Sequence, residues 1–226
     1  MISGCTVGER SAVPIVRPDV GPTRFLLVRH GQSTWNAIGR WQGRADAPLS
    51  PLGEEQAREA AVELAACGPF GVVVTSTLAR ARRTGELLAR GAGIQLGDAE
   101  EDLIERSAGQ WEGLLRSEIE ARYPNWLAQR RRPPGYESDE EIVVRAIRAL
   151  REVAERHAGA SVLVVSHGGL ITSLERAAGE EWRQLANLEA RWFAFDAASG
   201  DLLPDGERVR LLPTEPVPAE TIERYA

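Results

Sequence analysis

The chain has 226 residues, with 27 basic side chains against 33 acidic ones for a net charge of −6, and all 27 cations are arginine. With no lysine present, a Schiff-base lysine, a pyridoxal phosphate anchor, a P-loop and a protein-kinase phosphate site are excluded. The acidic balance argues against nucleic acid as the main partner, and any phosphate or carboxylate gripped by a side-chain cation is gripped by a guanidinium fork.

Residues 1–22 carry Pro14, Pro18 and Pro22 without periodicity and read as a loose leader; they lack the unbroken apolar stretch of a signal peptide. Phe25–Val28 is a short apolar run expected to be a buried strand. Ser50 followed by Pro51 marks a helix start, and the helical pattern runs through Ala57–Leu64 to end near Gly68. Val72–Thr75 is a second buried strand, followed by a helix over Leu78–Arg90 that Gly91 and Gly93 are expected to stop. Arg116–Tyr123 reads as a short helix ending before Pro124. Ser138 and Glu141 form a capping box that opens a helix to about His157. Ser161–Val165 is a third β-branched strand, Leu170–Ala178 a helix, and Glu189–Asp196 alternates as a half-exposed strand. Residues 213–226 are punctuated by proline and read as a loose tail.

Buried strands alternating with helices predict an α/β fold, a three-layer sandwich with a mostly parallel central sheet and helices on both faces, over a single domain at 23–212. The hydrophobic content of 43% suits a globular chain, and apolar runs such as Val162–Val165 are too short to span a bilayer, so no membrane partner is expected. Cys5 and Cys67 make neither a disulfide framework nor a metal set, and the expected setting is a reduced cytoplasm.

In such sheets ligands bind beyond the carboxyl ends of the strands. Those positions hold Arg29-His30-Gly31 after the first strand, Ser76 and Arg80 after the second, and His167-Gly168-Gly169 after the third. Two of only three histidines thus stand at equivalent strand ends. The other, His157, suits a structural role at a helix C-terminus. A histidine nucleophile attacking phosphorus needs a neutral imidazole nitrogen, cations for the equatorial oxygens and an acid for the departing alkoxide. Arg29 and Arg80 supply cations, His167 a hydrogen bond at a helix start, and Glu105 or Glu112 the acid. No zinc spacing such as H-E-x-x-H is present.

Arg29-His30-Gly31-Gln32-Ser33-Thr34-Trp35-Asn36 resembles the signature of the histidine phosphatase superfamily, also called phosphoglycerate mutase-like. Ser76-Thr-Leu-Ala-Arg80-Ala-Arg-Arg-Thr84 resembles its second arginine motif, Leu103-Ile-Glu105 through Gly113 its acid segment, and Val165-Ser166-His167-Gly168-Gly169 its second histidine motif. The four occur in family order. The resemblance implies that His30 takes the phosphoryl group, that Arg29, Arg80 and His167 clamp its oxygens, and that Glu105, rather than Glu112, is the acid. Another branch carries its acid directly after the second histidine, where this chain has Gly168. Asn36, Gln42 and Gly168 are expected to line the pocket, and Arg106 to bind substrate. The run Arg130-Arg131-Arg132 is a further candidate for a second anion. No metal and no cofactor are implied.

The expected function is a metal-independent phosphomonoesterase acting through a phosphohistidine on a small metabolite, with a sugar phosphate or sugar-acid phosphate favoured. The alternatives are a cofactor-dependent phosphoglycerate mutase and a non-catalytic phospho-ligand-binding module on the same fold. Gly169 stands where cofactor-dependent mutases carry asparagine, the stretch from Leu114 to Ser138 is modest, and the Arg40–Leu49 loop is more similar to the phosphatase branch. A small phosphomonoester is the expected partner, with a homodimer as one allowed assembly.

Overall fold

A computed structural model describes residues 21–212. Most of the expected leader, Cys5 and the expected tail lie outside the described residues. In chain order the elements are β1 (Thr23–Arg29), α1 (Thr34–Ala37), α2 (Pro51–Leu64), β2 (Val72–Ser76), α3 (Ala79–Ala92), β3 (Leu96–Glu100), α4 (Arg116–Arg122), α5 (Asp139–Arg156), β4 (Ser161–Ser166), α6 (Gly168–Ala177), β5 (Glu189–Phe195) and β6 (Leu202–Arg210). Among the described residues no helix is long and apolar enough to cross a membrane.

The six strands form one sheet in the order β3-β2-β4-β1-β5-β6. The first four are parallel, whereas β5 runs antiparallel to both β1 and β6. Alternate side chains of each central strand serve opposite faces, as the pleat requires. Phe25, Leu27, Val72, Val74, Val162 and Val164 pack with α5 and α6, while Leu26, Val28, Val73, Leu163 and Val165 pack with α2 and α3. The three-layer α/β sandwich is therefore present, with a mostly parallel sheet. A third cluster around Trp111, Leu114, Ile119 and Leu127 lies outside these two layers and is joined by Trp41, Tyr123, Trp126 and Tyr136.

The helix starts follow the sequence closely. Ser50 accepts from the Gly53 amide with Pro51 at the first helical position, and Ser138 forms the capping box with Glu141. His157 is the C-cap of α5. Gly91 does not stop α3. The helix continues through it to Ala92; a Cβ at Gly91 would lie 2.5 Å from the Ala61 Cβ, so the glycine serves close α2–α3 packing, and Gly93, left-handed at φ 68°, ends the helix.

The expectation of a half-exposed strand at Glu189–Asp196 is corrected: β5 is mostly buried on both faces. Its polar positions are covered by ion pairs, since Arg191 reaches Glu175 and Glu180, and Glu189 lies 3.9 Å from Arg208. Two strands, β3 and β6, were not foreseen. Both are sheet edges whose sequences, LGDAE and LLPDGERVR, contain glycine, aspartate or proline, so pairing rather than propensity makes them strands.

Candidate active site

Strands β2, β4 and β1 are neighbours, so their carboxyl ends deliver three motifs side by side although the chain visits them in a different order. His30 follows β1, Ser76 ends β2 with Arg80 two residues into α3, and His167 follows β4 as the N-cap of α6. The His30 and His167 ring centroids are 5.2 Å apart, close to the spacing of adjacent strands.

The tautomer of His30 follows from its partners. Nδ1 lies 2.7 Å from the Gly31 carbonyl oxygen, which can only accept, so Nδ1 carries the proton and Nε2 carries the lone pair. Arg80 Nε–H donates to that Nε2 at 3.2 Å. Burial, followed by the charges of Arg80 and Arg29, pushes the His30 pKa well below its ordinary 6.5, which keeps the ring neutral. The Asn187 side chain donates to the His30 carbonyl at 2.8 Å.

Arg80 is fully buried and held by the loop after α1: it donates to the carbonyls of Ala45 at 2.7 Å and Gly43 at 2.9 Å. Burial lowers its pKa to about 10, so it stays a cation at neutral pH. His167, also fully buried, places Nε2 at 2.8 Å from Ser76 Oγ, while Nδ1 has no hydrogen-bond partner. Burial and the neighbouring Arg80 hold its pKa well below 6.5. Arg29 donates to the Leu185 carbonyl.

Glu105 reaches the same strand ends by way of the unforeseen β3. Its Oε2 accepts from the Gly169 amide at 3.1 Å and its Oε1 from the Arg106 amide at 2.8 Å. A Cβ on residue 169 would lie 2.4 Å from Glu105 Oε1, so a larger side chain there would make the carboxylate shift. The segment carrying Glu105 is pinned from two sides. Ser166 Oγ donates to the Leu103 carbonyl at 2.8 Å, and Arg145 donates to the carbonyls of Asp102, Ile104 and Glu105. Arg145 also makes two hydrogen bonds to the Glu137 carboxylate, at 2.7 and 2.9 Å. Burial tends to raise the Glu137 pKa, but Arg145, the Ser107 amide and Arg44 outweigh it and hold the carboxylate below its ordinary range.

A cavity of about 460 Å³ opens onto these groups, with Arg29, His30, Asn36, Gln42, Glu105, Arg106 and Gly168 in its lining. Arg80 and His167 are fully buried beside His30 and are not in that lining. Several expected substrate contacts have other partners. Asn36 Oδ1 accepts from the Ser33 amide, Gln42 Oε1 accepts from Ser33 Oγ at 2.7 Å, and Arg106 is bound to Asp139, Ser173 and the Glu137 carbonyl. Glu112, the rival acid, accepts from the amides of Arg44 and Ala108 and so holds two loops together.

Residues of four motifs stand together at these neighbouring strand ends, and residues 25–199 match the histidine phosphatase superfamily (branch 1). This chain belongs to that superfamily. As a histidine phosphatase-like chain it is 40% identical over 160 residues to a 2,3-bisphosphoglycerate-dependent phosphoglycerate mutase of Gloeobacter violaceus, covering 66% of this chain and 73% of that one. It is 37% identical over 191 residues to a bifunctional protein of Mycobacterium tuberculosis, covering 79% of this chain and 52% of the relative. The chain therefore spans about half the length of the first curated relatives it matches. Among solved structures, a mycobacterial glucosyl-3-phosphoglycerate phosphatase complexed with VO3 superposes with a TM-score of 0.71 at 28% identity, covering 81% of this chain and 96% of that one.

Sequence reasoning missed Arg145 and Asn187. Arg145 did leave a signal: it interrupts the apolar stripe Ile142, Ala146, Ala149, Leu150 of α5, where a charge has to be buried with a partner. Of the aromatic residues Trp35, Trp41, Trp111, Tyr123 and Trp126, expected around the site, Trp41 lines the cavity, whereas Trp111 is fully buried.

Proposed function

We propose that this chain is a phosphomonoesterase working through a phosphohistidine, carried by the single unit at 23–212. The lone pair of His30 Nε2 attacks phosphorus and the ester P–O bond breaks, while the Glu105 carboxylic acid gives its proton to the departing alkoxide. Arg29, Arg80 and His167 face the equatorial oxygens and offset their charge, with Asn36, Gln42 and Gly168 around them. In the second half, Glu105 takes a proton from water, the resulting hydroxide attacks phosphorus, and the P–N bond breaks to release orthophosphate and neutral His30. Each proton borrowed is returned, and the net reaction consumes one water.

The observation that carries this reading is the fixed tautomer of His30, with Nδ1–H bound to the Gly31 carbonyl and Nε2 left as the nucleophile beside Arg80. A small sugar phosphate or sugar-acid phosphate is the favoured substrate. The solved structural neighbour that acts on glucosyl-3-phosphoglycerate supports that class.

The test is a phosphometabolite panel with chelator present, together with rapid quenching for an acid-labile phosphoenzyme. Phosphate release without added metal and a trapped phosphohistidine in the wild type, both lost in His30→Ala by about 10⁴-fold or more, are expected. Full activity of a clean His30→Ala preparation overturns the mechanism. The mutase of Gloeobacter violaceus among the relatives favours a second reading, in which the phosphoryl group returns to an organic acceptor. Conversion of 3-phosphoglycerate to 2-phosphoglycerate without accumulation of phosphate decides for it.

A further inference from the structure

A cluster of buried charges lies where α6 meets β5 and β6. Glu175 of α6 accepts from Arg208 of β6 through both oxygens, from Nε at 2.8 Å and from Nη2 at 2.6 Å. The side chains of Glu175 and Arg208 are only 2% and 5% exposed, and Arg191, Glu180 and Glu189 border the pair. A buried ion pair is a poor device for stability alone, because desolvation offsets much of the attraction. The remaining donors of Arg208 show what else it does. Nη1 donates to the Gln184 carbonyl at 2.8 Å and Nη2 to the Arg183 carbonyl at 2.9 Å.

Those carbonyls belong to residues 183–188, a segment between α6 and β5 that is neither helix nor strand. Leu188 within it is left-handed at φ 56°, a conformation that a residue other than glycine keeps only where its surroundings impose it. Glu189 fixes a further point by accepting from the Ala186 amide at 2.8 Å. The same segment meets the site. The Leu185 carbonyl accepts from the Arg29 guanidinium, the Leu188 amide donates to the Arg29 carbonyl at 3.0 Å, and the Asn187 side chain donates to the His30 carbonyl.

We infer that Arg208, anchored by Glu175, is a positioning residue for Arg29: it holds the carbonyls of Arg183 and Gln184, and with them the Leu185 carbonyl that aims the Arg29 guanidinium. A guanidinium suits this task because its planar fork has donors left over after a bidentate carboxylate pair, whereas an ammonium is a point charge without that geometry. The inference rests on the reading of Arg29 as a phosphate ligand.

Calorimetry with inorganic phosphate tests this over a double-mutant cycle of wild type, Arg208→Gln, Arg29→Gln and the double variant. Arg208→Gln is expected to weaken phosphate binding about tenfold, the effect of a misdirected charge-assisted hydrogen bond. In the Arg29→Gln background the same change is expected to cost less than about twofold, because the group it acts through is gone. Arg191→Gln is the control. Its arginine lies in the same buried cluster, but among the described residues that side chain donates to no carbonyl of 183–188. It is expected to lower the urea midpoint and to leave phosphate affinity within about twofold of the wild type.

If circular dichroism shows that Arg208→Gln does not fold, Glu175→Gln, which keeps the shape and removes the charge, replaces it in the cycle with an expected loss of about threefold. Unchanged phosphate affinity in the folded variant, losses that add to that of Arg29→Gln, or an equal loss in Arg191→Gln overturns the positioning role. Wild-type protein that binds no phosphate overturns Arg29 as its ligand and this inference with it. Wild-type protein that binds phosphate but releases none from p-nitrophenyl phosphate overturns the phosphomonoesterase reading instead, and the cycle still decides the role of Arg208.

Discussion

Ser76 Oγ and His167 Nε2 stand 2.8 Å apart in the buried floor of the site, and this one contact sets which way the second histidine can act. Ser76 Oγ already accepts from the Leu78 amide at 3.2 Å, which leaves its own proton to give. Donated to Nε2, that proton fixes the other tautomer of His167 from that of His30, with hydrogen on Nδ1, the buried atom without a partner. An Nδ1–H can donate to a phosphoryl oxygen, whereas a bare Nδ1 would repel it.

Ser76→Ala is therefore expected to lower kcat by about tenfold to a hundredfold, up to the lower end of what a lost oxyanion donor costs, with little change in the urea midpoint. Nitrogen-15 chemical shifts of His167 provide the direct readout. An Nε2–H signal in the wild-type protein, or unchanged kcat in the variant, refutes the assignment.

Gly169→Ala pushes a methyl group to within 2.4 Å of Glu105 Oε1. Residue 169 lies in the first turn of α6 without positive φ, so alanine suits the helix and the cost falls on the carboxylate. A drop of about a hundredfold in kcat/KM with a preserved fold is the expected result, a general acid moved off its position. Retained activity would mean that Glu105 does not act from this location.

Arg145→Met leaves the buried Glu137 with Arg44, at 3.1 Å, as its remaining cationic partner and abandons three carbonyls of the acid segment. Breaking a buried pair in this way costs about 3–5 kcal/mol, which urea unfolding measures directly. An accompanying fall in kcat would show that the pair also holds Glu105.

Acid pH should destabilise the fold through the two buried histidines. Both pKa values are depressed below 6.5 when folded, so below pH 6.5 the unfolded chain binds more protons than the folded one. Stability is complete above that pH and falls as pH decreases, by at most about 2.7 kcal/mol per pH unit for two groups. Urea midpoints at pH 7.5 and 5.5 test this, and His30→Gln should show about half the dependence. Glu137 and Asp139, also depressed when folded, add their own loss only near their ordinary values of 4.5 and 3.8 and below.

Much of the fold was legible in the sequence because its signals are local. Buried parallel strands read as unbroken β-branched runs, and the caps at Ser50 and Ser138 depend on residues three positions away. The edge strands β3 and β6 were illegible for the opposite reason: hydrogen bonding to β2 and β5 makes them strands, and nothing in their own composition does.

By itself the sequence determined the composition of the site: two histidines and two arginines at strand ends, no lysine to compete, and a glycine-flanked acid segment. Tertiary structure decided who stands beside whom. The order β2-β4-β1 sets His167 between Ser76 and His30, a neighbourhood that follows from strand crossover and not from spacing along the chain. It also sorted the arginines. Arg106 lines the cavity while paired with Asp139, whereas Arg132, one of three identical neighbours in a run, rests on Trp111 and Tyr136. A guanidinium has the same charge wherever it occurs; its partners, fixed by long-range packing, determine whether that charge is left for a ligand.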